Sequence, residues 1–237
     1  MAEPSVHVAQ RRRVLVRTIS GIVVALGLIV GGPFVYARFL APDAAEPLEL
    51  STPTQAATPE IPTGVMDIEG TWRVLEGSEA GYRLGEVLSG QDVTVVGRTE
   101  RVTGEVTIVD GAIEAATVTV DAGTISTDEA ARDAFFRRAL NTSEFPDATF
   151  VLAEPVDVSA LGQADDPFAT PIVGNLTFHG VTHQVTAELE AQRTATGVEI
   201  VAQVPITLAD FELDAPDLGW VVVEPTGTVE VRLLLGR

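Results

Sequence analysis

Two histidines, two pairs of neighbouring acids and one Arg-Asp dipeptide are the groups in this 237-residue chain whose types and spacing could do chemistry. His179 and His183 stand four apart, which on a helix would put two imidazoles on one side of a metal ion. They straddle Gly180 at a predicted turn and alternate onto different faces, and the further ligands a zinc ion needs are not in view, so no metal site is assigned. His7 lies outside the folded region. Asp128-Glu129 and Asp165-Asp166 fall in a helix cap and a loop, where acids have ordinary structural work to do. No G-x-S-x-G and no phosphate loop occurs, and a Ser/His/Asp triad has little histidine to draw on. No catalytic residue is assigned and no enzymatic activity is expected. Arg132-Asp133 forms either a surface pair or a lock between a helix and a strand.

Most of these groups depend for their positions on residues 118–150. Val118 and Val120 face one way and Thr117, Thr119 and Asp121 the other, the period of two of a half-buried strand. Ser126 and Glu129 are then spaced as a capping box, which predicts a helix from about Asp128 to Leu140. Its Ala131, Phe135, Phe136, Ala139 and Leu140 make one apolar stripe. Asn141-Thr142-Ser143 ends it, and Phe145-Pro146 turns the chain into a strand through Ala148, Phe150 and Leu152. One amphipathic helix in an otherwise all-strand chain is expected to lay its phenylalanines over the open end or flank of a sheet.

Alternating runs predict the sheet itself: 68–75, 80–87, 92–98, 102–109, 112–121, 148–154, 172–178, 181–191, 198–206 and 229–235. Asp110-Gly111, His179-Gly180 and Thr196-Gly197 read as turns between them. Eight to ten strands without βαβ alternation point to an antiparallel barrel or sandwich. A last strand that reaches almost to the final residue argues for closure onto the first. A barrel of about eight strands is wide enough either to be filled by side chains or to hold one slim ligand, and periodicity leaves both open.

The chain has no cysteine, which excludes disulfides, thiolate metal sites and a lipid-modified cysteine. All 15 basic residues are arginine. The net charge is -19, and residues 1–64 balance five arginines against five acids, so the excess belongs entirely to the chain from Val65 onward. Such a surface repels phosphate backbones, and no nucleic-acid partner is expected. Residues 18–37 are uncharged, about 30 Å as a helix, enough to cross a hydrocarbon core. Four arginines precede them and mostly acids follow, which places residues 1–17 in the cytoplasm and the rest outside a cell membrane. The small-x-small pattern after the span is poor, so an uncleaved single-pass anchor is the reading, with signal cleavage as the alternative. Residues 38–64, rich in Pro, Ala and Thr, read as a tether with a reach of ~75 Å, and 65–237 as the folded domain.

The order of several short motifs resembles the YceI-like family. They are Gly70-Thr71-Trp72, Val96-Gly97-Arg98-Thr99, Val120-Asp121, the S-x-D-E-x-A-R-D run into the helix, Phe145-Pro146-x-Ala148-Thr149-Phe150, and Gly174-x-Leu176-Thr177-x-His179-Gly180-Val181-Thr182. The resemblance covers about Ile68 to Leu235. It implies an antiparallel, lipocalin-like β-barrel with an apolar tunnel for an isoprenoid chain of quinone or polyprenyl type. Tunnel residues are assigned to Trp72, Tyr82, Val118, Phe135, Phe136, Phe150, Leu176, Phe178, His183, Val185, Leu189, Val204, Phe211 and Trp220. His183, on the apolar face of its strand, could hydrogen-bond a quinone or alcohol head, a satisfied core histidine being the alternative. No cofactor is expected beyond such a bound lipid. The resulting expectation is a membrane-anchored, extracytoplasmic isoprenoid carrier without catalysis. The alternatives are an envelope structural or interaction domain with a solid core, and an enzyme acting on such a lipid.

Overall fold

The computed structural model describes residues 44–52, 66–162, 167–195 and 197–237. The expected span 18–37, residues 38–43 and 53–64 of the expected tether, Val65, the Asp165-Asp166 pair and Thr196 lie outside the described residues. No helix among the described residues is long and apolar enough to cross a membrane.

Among the described residues alternation becomes eleven strands. They are β1 (Gly70–Val74), β2 (Glu79–Leu88), β3 (Gln91–Thr99), β4 (Val102–Val109), β5 (Ala112–Asp121), β6 (Asp147–Leu152), β7 (Val156–Asp157), β8 (Phe168–Phe178), β9 (Val181–Arg193), β10 (Val198–Thr207) and β11 (Val221–Gly236). One α-helix, α1 (Ala130–Ala139), lies between β5 and β6. The turns Ser89-Gly90, Asp110-Gly111 and His179-Gly180 have positive φ at both residues, the two-residue hairpin geometry that matches strand twist.

All neighbouring strands pair antiparallel, and β1 pairs with both β4 and β11. Arg73 and Val74 face Gly236 and Leu235, which closes the ring as the run to the last residues anticipates. β1 and β2 act as one bent strand along β11, with Ser78 hydrogen-bonded to Leu234 at the bend. β3 and β4 are the matching bent partner, so the barrel has eight staves in up-and-down order. β11 starts at Val221 rather than Val229, because the pairing with β2 slips between Val223 and Gly227 and a bulge there scrambles the period.

The two ends of the barrel differ. At the end holding the β4–β5 turn, inward residues from most staves bury one another: Trp72, Ile108, Ile113, Ile172, Ile200, Leu233 and Leu235 are all in one core. At the opposite end the wall is incomplete. β3 runs past the point where β5 stops pairing with β4. β9 and β10 pair only up to Glu188 and Gln203, although both strands continue. α1 covers the first opening. A 3₁₀ turn, Leu208–Phe211, fills the second with a Phe211 that is 1% exposed.

Residues 44–52, inside the expected tether, lie across the outer wall. The Ala45 carbonyl accepts from Arg83, and Ser51 bonds Glu199 through both its amide and hydroxyl. Glu199 and Glu230 point outward from their strands yet are each 1% exposed.

Candidate functional site

The even positions of β2 face inward at the helix end, which sends Tyr82, Leu84, Glu86 and Leu88 under α1. Opposite Tyr82 stands Gly97, where a Cβ would lie 2.5 Å from the Tyr82 ring and 2.8 Å from Ile125. A glycine is required there because the phenol takes the space. Above it the Phe136 ring stacks on Tyr82 at 4.6 Å between centroids and 12° between planes. Val95, Ala122 and Ile125 complete a small cluster beneath the helix.

The helix is held differently from the capping box expected at Ser126. Ser126 is drawn to the free edge of β3, exchanging both backbone hydrogen bonds with Arg98, and is therefore unable to cap. The cap is Glu129, whose side chain accepts from the Ala131 amide at 3.2 Å. The buried Asp133 reaches back to accept from the Thr127 amide and hydroxyl at 2.8 and 2.7 Å. Arg132 donates to Asp128 at 2.7 Å and to Glu86 on β2 at 3.3 Å. Of the two readings of Arg132-Asp133, the lock to a strand holds, with Glu86 as the partner and not Asp133.

Between α1, the inner faces of β2, β3, β10 and β11, and the segment 208–220 lies a cavity of about 550 Å³. Ala131, Phe135, Phe136, Ala139 and Leu140, the whole apolar stripe of the helix, line it. So do Tyr82, Phe178 and Trp220 among the predicted tunnel residues. At the rim Phe135 is 44% and Trp220 54% exposed. Burial pushes the Tyr82 phenol well above its usual range, opposed by the Arg132 guanidinium and reinforced by the nearby acids. Its hydroxyl has no hydrogen-bond partner among the described residues.

The other predicted tunnel residues sit elsewhere. Trp72 plugs the opposite end, its indole donating to the Ile68 carbonyl at 2.8 Å and its face covered by the Arg237 guanidinium at 4.5 Å. Leu176, Val185, Leu189, Val204 and Phe211 are buried in the packed core, and Val118 and Phe150 pack half-buried against it. His183 is on the wall's outer side of this packing, its side chain 49% exposed and 3.9 Å from Asp210, in an open and polar hollow between β9, β10, β11 and β2. His179 is a turn residue, its ring edge-on to Phe145 and bonded to the Phe211 carbonyl at 3.3 Å. The interior is thus a one-ended cavity, because large aliphatic residues and Trp72 fill the other half.

Sequence reasoning missed part of the lining. Leu84, Leu88, Val95 and Val229 were in reach, as they sit on the same alternating faces as Tyr82 and Val231. Leu208, Leu213, Pro216 and Leu218 belong to an aperiodic segment that carries no such signal.

The YceI-like domain family matches residues 76–235. The chain belongs to that family. Among solved structures, this YceI-like fold is similar to a polyisoprenoid binding domain from Saccharophagus degradans implicated in plant cell wall breakdown. That match has 22% identity and a TM-score of 0.57, covering 71% of this chain and 98% of that one. BcnA of Burkholderia cenocepacia gives 14% identity and a TM-score of 0.49, covering 66% and 96%. The YCEI protein of Campylobacter jejuni gives 16% identity and a TM-score of 0.42, covering 57% and 81%. Among functionally curated proteins, none matches the chain.

Proposed function

We propose that this YceI-like protein holds the apolar chain of an isoprenoid lipid in the cavity beneath α1 and does no chemistry on it. The observation that carries this reading is the cavity itself: about 550 Å³, lined mainly by apolar side chains from helix, strands and loop, with an exposed aromatic rim. An empty space of this size next to a packed core costs stability unless something apolar fills it. Removing a five-carbon unit from water contributes ~4 kcal/mol at about 0.8 kcal/mol per methylene, so the chain alone supplies ample affinity. The ligand named for the Saccharophagus degradans domain is of the same kind.

The uncharged run 18–37, preceded by arginines, supports an anchor that leaves the barrel on the outer side of a cell membrane, next to the lipid source. The test is to purify the full chain from membranes, extract it with organic solvent and analyse the extract by mass spectrometry. An isoprenoid in near-stoichiometric yield supports the reading. A chain that carries none, and takes up none when offered farnesol or a prenylated quinone, overturns it.

A further inference from the structure

The cavity has a definite size and one polar corner, and together they narrow the ligand. Its lining ends at Tyr82, Val229 and Ile206; farther in, Ala202, Ile200 and Leu233 are buried in the packed core. A cavity of ~150 Å³ accommodates a benzene ring, roughly 25 Å³ per carbon, so about 550 Å³ has room for ~22 carbons. That is four isoprene units and a small head.

The charged lining consists of Glu86, Glu129, Asp214 and Arg132. Arg132 is already engaged by Glu86 at 3.3 Å and Asp128 at 2.7 Å. Its guanidinium is therefore neutralised, and an incoming anion meets an excess of carboxylate on a chain whose net charge is -19. A phosphate or diphosphate head would have to enter against that field and break the lock between helix and β2. A neutral oxygen meets neither obstacle. The Tyr82 ring is stacked under Phe136, and its hydroxyl makes no hydrogen bond to a described residue, so it faces the cavity as a donor open to a ligand. Glu86, its side chain 10% exposed, lies four residues farther along the same inward face of β2 and adds a carboxylate to the lining.

We propose that the cavity selects a neutral isoprenoid of about twenty carbons, an alcohol or a quinone with a short tail, whose oxygen accepts from the Tyr82 hydroxyl. This rests on the isoprenoid reading above and narrows it. Phosphorylated carriers and tails of eight or more units are excluded from full enclosure.

The experiment is a competition on the full chain, read by native mass spectrometry. It is offered an equimolar set of neutral prenols of 10, 15, 20, 30 and 50 carbons together with the 20-carbon diphosphate. Occupancy is expected to rise at least tenfold per five-carbon unit up to 20 carbons and then to level off. The diphosphate should bind at least tenfold more weakly than the alcohol of equal length. Glu86→Gln, which keeps the hydrogen-bonding shape, should raise the diphosphate-to-alcohol ratio at least fivefold, and Asp214→Asn serves as a second variant should the first fold poorly. Tyr82→Phe should weaken the 20-carbon alcohol several-fold and leave a 20-carbon hydrocarbon unchanged. Occupancy that keeps climbing to 50 carbons, or a diphosphate that equals the alcohol, overturns the inference and leaves isoprenoid binding standing. Failure of every prenol to bind overturns both.

Discussion

Glu230→Gln is the sharpest test of how the outer wall is held. Glu230 faces outward on β11, where a carboxylate would ordinarily be solvated, yet it is 1% exposed beneath residues 44–52. Its two oxygens take Arg83 at 2.8 Å and Arg98, whose side chains are 21% and 15% exposed, and the Ala45 and Glu46 carbonyls accept from the same guanidinium groups. The glutamine occupies nearly the same volume but leaves two largely desolvated cations with a weaker acceptor between them, and Glu79, 3.7 Å from Arg98, as the one other carboxylate among the described residues. Removing one partner of a buried pair costs about 3–5 kcal/mol, and the residual exposure of the arginines argues for the low end, ~3 kcal/mol. For a domain of this size each kcal/mol moves Tm by roughly 2–4 °C, so a fall of ~6–12 °C is expected in thermal melts followed by circular dichroism. The control is Glu105→Gln, which removes the same charge from a pair with Arg73 in which both side chains are more than half exposed. Exposed pairs contribute about 0–1 kcal/mol, so that variant should melt within ~4 °C of the parent. If the two variants melt together, the buried network contributes nothing and the docking of residues 44–52 is incidental.

Three further outcomes are expected. With Tyr36→Phe in place, so that Tyr82 is the single tyrosine, phenolate absorbance should stay flat past pH 10 and rise only with alkaline unfolding. Because the folded phenol is held above its unfolded value, stability is intact below pH 10 and falls as pH rises beyond it, and Tyr82→Phe should postpone that loss. Gly174→Ala would put a methyl 2.1 Å from the Phe150 ring, so the ring must shift; a loss of about 1–3 kcal/mol in urea unfolding is expected. Of the two tryptophans, Trp72 is 3% and Trp220 54% exposed, so a 20-carbon prenol should blue-shift the emission, and Trp220→Phe should abolish that shift.

How far these features were legible beforehand follows from the period of each segment. On β9, Val185, Ala187, Leu189 and Ala191 are inward and buried as alternation requires, because β8 pairs along the whole run, β10 joins from Glu188 onward, and one face meets the core. The apolar stripe of α1 identified its inward side and even its cavity contacts, since a helix over an opening has nothing else to face. The strap at 44–52 was illegible: its hold is made of backbone carbonyls, Ser51, Gln192 and one buried leucine, Leu48, too little to leave a hydrophobic period. Trp72 and Phe211, assigned to the tunnel with aliphatic residues such as Leu176 and Val185, are in the packed core instead, since a large side chain on an inward face serves equally to fill a barrel and to line it.

What decides between filling and lining is the bend shared by two staves. Between β1 and β2, and again between β3 and β4, the strands change direction at 75–78 and 100–101, and only the halves beyond the bends leave the ring. Below the bends β1 and β4 stay in register with β5 and β11, eight staves close tightly, and branched aliphatics meet across the axis. Above them β3 has no strand on its far side among the described residues, so a helix must cover what a ninth strand would otherwise pair. A helix is about twice as thick as a strand is wide, and it contributes one stripe of side chains where a sheet contributes a dense alternating face. Placing α1 there leaves space that Phe135, Phe136 and the loop 208–220 surround without filling. The cavity is thus a consequence of closing a sheet with a helix, and its depth is set by where the two bends fall along the chain.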